Sequence, residues 1–340
     1  MSALRLEQLF LLGFRGESLQ PGGWLAAALR RGLGGVILFD KNVDGSVQNI
    51  SSPAQLKRLT ADLQDAAGGR LLIGIDQEGG RVCRLKTAAG FPAQPGAREL
   101  AIEGLLASQA AAERCAATLA ECGINWNFAP VVDLDCDPPC PVIGGFGRSF
   151  GRDAETVAAH ALIWTQTLHA HGIACCLKHF PGHGRATGDT HLGFVDAGPG
   201  WQEDELTPYR LLIAKGFQDA VMTAHLVLRQ LDAEARPATL SPPILTGLLR
   251  EKLGFRGLIC TDDLQMGAIV KEYGFREAVQ KAALAGADMF LVGNNLSDQP
   301  EALDEGVAAL EELLAQNRIT EERLIASVER VQRLAGPRST

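Results

Sequence analysis

The sequence predicts an α/β protein built on one (β/α)8 barrel with extra C-terminal helices, and three observations carry that prediction. Short apolar runs recur along the chain, the segments between them space their apolar residues as helices do, and eight such runs fit within 340 residues. The runs occupy residues 9–14, 35–39, 71–76, 124–134, 173–180, 220–227, 257–263 and 288–292. Each is nearly continuous in apolar residues, as expected of parallel strands covered on both faces. Between them, residues 101–122, 154–171 and 243–253 place apolar residues three and four apart. Residues 301–334 read as two further helices that close the barrel. An open, doubly wound sheet is the structural alternative, but no G-x-G-x-x-G follows the first strands. With no linker, internal repeat or low-complexity tract, residues 1–340 are expected to form one domain.

Composition narrows the partners. Hydrophobic residues make up 46% and charged residues 21%, and a net charge of −8 comes without any basic run. An electrostatic grip on nucleic acid or an anionic membrane is therefore not expected. The N-terminal apolar run is broken by Arg5 and Glu7, and no stretch approaches the ~18 apolar residues of a membrane span. A cytoplasmic protein is expected. Cys136 and Cys140 flank Asp137-Pro138-Pro139, but no second pair stands at zinc-site spacing. Free buried thiols are the expectation, and a Cys136–Cys140 disulfide would be incidental. Asp133, Asp135 and Asp137 mimic the start of a calcium loop, yet Pro138 replaces the glycine it needs. No Walker A sequence is present.

The informative pattern lies where the apolar runs end. One leads into Asp76-Gln77-Glu78-Gly79-Gly80-Arg81, another into Lys178-His179 and a loop reaching His191. Others carry His225, the pair Asp262-Asp263, and Asp133 and Asp135 ahead of Arg148. Ionisable groups in such places are costly unless paired or functional, and barrel sites form at C-terminal strand ends. Four of the seven histidines, His179, His183, His191 and His225, fall in this set. In an extended loop Asp189 and His191 point the same way, so the carboxylate can fix the imidazole tautomer for proton transfer. A loop-stabilising Asx hydrogen bond is the plain alternative. Asp262, at a strand end, suits a nucleophile of the retaining-glycosidase kind, and Asp263 is expected on the other face with a structural role. Asp76, Arg84, Arg148, Lys178 and His179 would supply the dense polar contacts of a sugar ring, though Arg81 and Arg84 also suit ion pairs within the mouth. Gly182, Gly184 and Gly188 would let the 181–190 segment swing.

These residues resemble the glycoside hydrolase family 3 signature. KHFPGHG at 178–184 followed by DTH at 189–191 is similar to its catalytic loop, in particular that of the bacterial β-N-acetylglucosaminidases of peptidoglycan recycling. The likeness extends through IDQEGGRVCRL at 75–85, NFAPVVDLD at 127–135, PVIGGFGRSFG at 141–151, MTAHLV at 222–227, residues 238–269 and GADMFLV at 286–292. It implies Asp262 as nucleophile, His191 as general acid/base with Asp189 as its partner, and Asp76, Arg84, Arg148, Lys178 and His179 around a terminal N-acetylglucosamine. Larger relatives take their acid/base from a second domain, so this chain is expected to use His191. CDPPC at 136–140, the GGFG turn and LGFV after His191 depart from the family pattern. The implied partner is a small carbohydrate, a GlcNAc β-glycoside of muropeptide type, with no cofactor, no metal, no nucleic acid, no membrane and a monomeric state. Three other readings stand beside it: a metal-dependent barrel hydrolase using His179, His183, His191, His225 and Asp262; a Schiff-base enzyme using Lys178; and a catalytically inert sugar-binding module.

Overall fold

In the computed structural model, which describes residues 4–188, 193, 195–198 and 200–336, all eight apolar runs contribute strands to one sheet. These are β1 Phe10–Leu12, β2 Gly35–Leu38, β3 Leu72–Ile75, β4 Trp126–Asn127, β5 Ala174–Phe180, β6 Ala220–Thr223, β7 Leu258–Cys260 and β8 Phe290–Val292. Every pairing is parallel, in the order β7-β6-β5-β4-β3-β2-β1-β8. The ring closes where β7 meets β8: Cys260 bridges Met289, Met289 N–H donates to Ile259 O at 3.1 Å, and Thr261 N–H to Met289 O at 2.9 Å. This is the (β/α)8 barrel that the periodicity predicts, with polar strand ends gathered at one mouth.

The strands are shorter than the apolar runs. In 124–134 only Trp126–Asn127 joins the ladder continuously; Pro130 has no N–H to donate, and pairing resumes at a bridge between Val131 and Lys178. Inside the barrel small residues make room for large ones. A Cβ on Gly74 would lie 2.4 Å from the Phe128 ring, which stacks edge-on against Trp126 at 4.7 Å.

The helices are α1 Trp24–Arg31, α2 Pro53–Ala67, α3 Ala97–Glu103, α4 Leu105–Glu121, α5 Ala154–Ala170, α6 Thr207–Ala214, a wide π-helix Pro243–Lys252, α7 Gly267–Ala285, α8 Ala302–Ala315 and α9 Glu321–Ala335. Ser52, Asp153 and Thr320 cap α2, α5 and α9 by accepting backbone N–H bonds. The expected single helix over 101–122 is instead broken at Gly104, whose φ of 94° no other residue adopts cheaply. The two expected C-terminal helices are α8 and α9. No helix among the described residues is long and apolar enough to cross a membrane, and all eight cysteines are free thiols.

Two buried carboxylates hold the N-terminal ends of the strands. Asp219, just before β6, accepts Cys175 N–H at 2.8 Å and lies 2.6 Å from His169 Nε2. Asp288, just before β8, accepts Ile259 N–H at 2.9 Å and meets Arg250, Arg323 at 3.2 Å, Arg330 at 3.1 Å and Ser327 Oγ at 2.7 Å. It thereby bolts α9 and the π-helix to the barrel floor. Asp288→Ala strands three guanidinium groups around a buried site and is expected to lower the free energy of unfolding by about 3–5 kcal/mol, read by urea denaturation.

Candidate active site

At the C-terminal end of the sheet lies a cavity of ≈ 250 Å³. Asp76, Arg84, Arg148, Lys178, His179 and Asp262 line it together, with Phe39, Phe146 and Met266 among its apolar wall. Asp76 directly follows β3, and Asp262 lies two residues beyond β7. Lys178 and His179 are neighbours on β5, where simple alternation would send one away. The β5–β6 register shifts between Leu177 and Phe180, and both side chains reach the cavity.

A lattice of alternating charges builds the floor. Lys178 Nζ lies 2.7 Å from Asp76 Oδ1 and 2.7 Å from Glu78 Oε1. Arg148 grips Glu78 with two bonds, Nη2 to Oε1 at 2.7 Å and Nε to Oε2 at 2.8 Å, while Nη1 donates to Val142 O at 3.0 Å. Arg84 reaches Asp76 at 3.3 Å and Asp40 at 3.7 Å. Burial alone would raise the Asp76 and Glu78 carboxyls; Lys178 and Arg84 beside the first, Arg148 and Lys178 beside the second, hold both below the usual range. Burial would likewise lower the Lys178 ammonium, but Asp76 and Glu78 raise it. A Schiff-base lysine needs a depressed pKa, so this geometry argues against that role.

The histidines part company. His179 Nδ1 donates to Asp133 Oδ2 at 2.7 Å, leaving Nε2, assigned from this network, to accept from Arg148 at 3.3 Å. Asp133 also accepts His179 N–H at 3.1 Å and His183 N–H at 2.8 Å. His183 is buried against Cys140 at 3.5 Å, and burial together with neighbouring His179 pushes it down to about 4, so it stays neutral. His225 lies between Thr239 Oγ1 at 2.8 Å and Asp263 O at 2.9 Å, bracing the turn after β7. Of the four histidines expected at the mouth, His179 lines the cavity, His183 and His225 support it, and His191 lies outside the described residues, as does Asp189. Among the described residues, the ligand atoms of His179, His183, His225 and Asp262 do not gather into one group, contrary to what a metal-dependent reading requires. Asp263 also departs from expectation. The strand ends at Cys260, so alternation no longer separates the pair, and Asp263 lines the same cavity while accepting Gln265 N–H and Gly293 N–H.

Residues 25–334 match the glycosyl hydrolase family 3 N terminal domain. The chain belongs to glycosyl hydrolase family 3. It is 40% identical over 284 residues to a β-hexosaminidase of Neisseria meningitidis serogroup C, covering 80% of this chain and 73% of that one. A β-hexosaminidase of Nitrosomonas eutropha is 37% identical over 296 residues, covering 82% and 78%. A solved family 3 β-N-acetylglucosaminidase from Paenibacillus superposes with a TM-score of 0.88 at 36% identity. It covers 98% of this chain, which spans 62% of the Paenibacillus chain. The protein is thus a glycoside hydrolase, with β-hexosaminidases among its relatives.

Within this family 3 barrel, three residues outside the expected site set brace it. Glu78 ties Lys178 to Arg148, and Asp133 orients His179. Both stand in the QEG and VVDLD segments the sequence displays, but their burial shows only in three dimensions. The third is Glu205, 1% exposed, at the foot of the loop after β5. Its Oε2 accepts Gly184 N–H at 2.8 Å, and Arg185 lies 3.5 Å from Oε1. Burial and the charge of Asp133 push this carboxyl up to about 7. The nearby glycines serve close packing: a Cβ on Gly182 would meet Glu205 at 2.5 Å, and one on Gly184 the Leu134 carbonyl at 2.2 Å. They let the chain pack closely at the base of the loop.

Glu78→Gln removes the anion shared by two buried cations and is expected to cost about 3 kcal/mol of stability, with weakened substrate affinity; unchanged urea unfolding would mean Lys178 and Arg148 are neutralised otherwise. Glu205 yields a pH prediction. Its proton is held more tightly in the folded state than at the ordinary 4.5, so stability falls as pH rises from there to about 7. Glu205→Gln should flatten that slope in urea titrations at about pH 5 and about pH 8.

Proposed function

We propose that this family 3 enzyme is a retaining exo-β-N-acetylglucosaminidase, and that residues 1–340 act as one domain. The observation that carries the reading is the convergence of Asp262 with Asp76, Arg84, Arg148, Lys178 and His179 on one cavity. A pyranose ring offers hydroxyls that both donate and accept. Asp76, ionised between Lys178 and Arg84, accepts hydrogen bonds from hydroxyls. Lys178, Arg84 and Arg148 carry donors that can turn towards the sugar, and apolar Met266 and Phe146 cover its less polar surface.

The chemistry follows from Asp262. Its carboxylate attacks the anomeric carbon as the glycosidic bond breaks, passing through an oxocarbenium-like transition state to a glycosyl ester. His191, with Asp189 as the partner that the resemblance implies, protonates the departing oxygen and then takes a proton from the water that releases the sugar. The relatives' names and the resemblance support N-acetylglucosamine as the sugar, terminal and non-reducing. Peptidoglycan fragments, processed in the cytoplasm during cell-wall recycling, are the substrate class the resemblance favours.

Asp262→Ala is expected to lower hydrolysis of an aryl β-GlcNAc glycoside by at least ~10³-fold, and a slow substrate should leave a glycosyl adduct on Asp262 detectable by mass. Wild-type turnover in that variant, or release of the inverted anomer, would overturn the assignment.

A further inference from the structure

The end of the barrel opposite the cavity carries chemistry that sugar hydrolysis does not use. His169 lies in the last turn of α5, Cys175 is the second residue of β5, and Asp219 immediately precedes β6. Three neighbouring elements thus deliver an imidazole, a thiol and a carboxylate to one point on the N-terminal face. Their ligand atoms all lie within 4.8 Å of one another. His169 Nε2 is 2.6 Å from Asp219 Oδ2, and that oxygen also accepts the Cys175 N–H at 2.8 Å, which fixes the carboxylate against the strand.

We propose that His169, Cys175 and Asp219 form a binding site for one divalent transition-metal ion of the zinc class. Nitrogen, sulfur and carboxylate oxygen are the donor types zinc takes, and the thiolate disfavours magnesium and calcium. Bonds of roughly 2.0–2.3 Å in a tetrahedral site set donor atoms about 3.3–3.8 Å apart. Entry of the ion therefore needs the imidazole to withdraw from the carboxylate by about 1 Å and the sulfur to draw in, both side-chain movements. A thiolate and a carboxylate together balance the charge of a dication. The thiol proton leaves to solvent on binding, so affinity rises with pH. The His169 side chain is 35% exposed beside the buried Cys175, which gives the ion an entry path and leaves a fourth position for water. Bound there, the metal would staple α5 to β5 and β6 beneath the strand that carries Lys178 and His179. The ion would bind the folded chain alone, so it would also raise its stability by mass action.

The test is a Co²⁺ titration of the full chain, reduced and stripped of metal with chelator. The expected result is one equivalent bound, with a thiolate-to-cobalt charge-transfer band that Zn²⁺ displaces. Cys175→Ala should abolish the band, and Cys140→Ala, which removes the thiol beside His183, should leave it intact. His169→Gln, on a partly exposed helix turn, should weaken cobalt affinity at least ~10-fold and cancel the rise in melting temperature that Zn²⁺ gives the wild type. If Cys175→Ala does not fold, His169→Gln decides alone. An absent band, a band that survives in Cys175→Ala, undiminished affinity in His169→Gln, or loss of the band in Cys140→Ala would each overturn the proposal. Any of these would leave His169 and Asp219 as a hydrogen-bonded pair only.

Discussion

Lys178 carries a charge into a position where 2% of its surface meets solvent, and its two carboxylate neighbours make that burial tolerable. Much else at the mouth follows from this one contact. Asp76 and Glu78 come from the chain just after β3, so the ammonium on β5 stitches across the sheet between non-neighbouring strands. Glu78 then fixes Arg148, which arrives from the long connection after β4, and Asp76 orients Arg84. Remove the ammonium and two carboxylates stand at close range in a low-dielectric pocket with no cation between them. An effective dielectric well below that of water makes such repulsion severe and such pairing strong.

A second chain of bonds runs beside this lattice and shares Arg148 with it. Asp133 holds both His179 and the backbone of His183, and Glu205 holds the backbone of Gly184. The residues that would meet a sugar are therefore cross-braced from below by groups that would never touch it. Rigid polar scaffolding of this kind suits a site that must present charges in fixed positions, because preorganised dipoles need not rearrange as charge develops on the substrate.

The barrel and its mouth were legible in the sequence because two signals agree there. Runs such as LLIGID and ACCLKHF are long enough to mark buried strands, and each ends in ionisable groups that a strand interior would not tolerate. What stayed hidden depends on direction. Nothing in the letters tells that His225 turns to Thr239 and Asp263 O while His179 faces the cavity, since both follow similar apolar runs. Asp263 was misplaced because alternation was carried past Cys260, where the strand has already ended. Glu205 gave no signal at all: it sits in WQEDELTPY among other acids, and only its position beneath Gly184 distinguishes it. Gly104 looked like an ordinary residue in a helical stretch, and its positive φ is a property of the path the chain takes.

The seam between β7 and β8 has a consequence for how the chain is made. While a ribosome extends the polypeptide, β1 through β7 can form only a curved sheet with two bare margins, at Phe10–Leu12 and at Leu258–Cys260. Each margin offers unpaired amides and carbonyls to any other nascent strand nearby. Phe290–Val292 and the adjoining Met289 supply both missing partners at once. Until those residues leave the exit tunnel, the molecule is a template for self-association. Pairing β1 with β8 turns that vulnerability off in a single event.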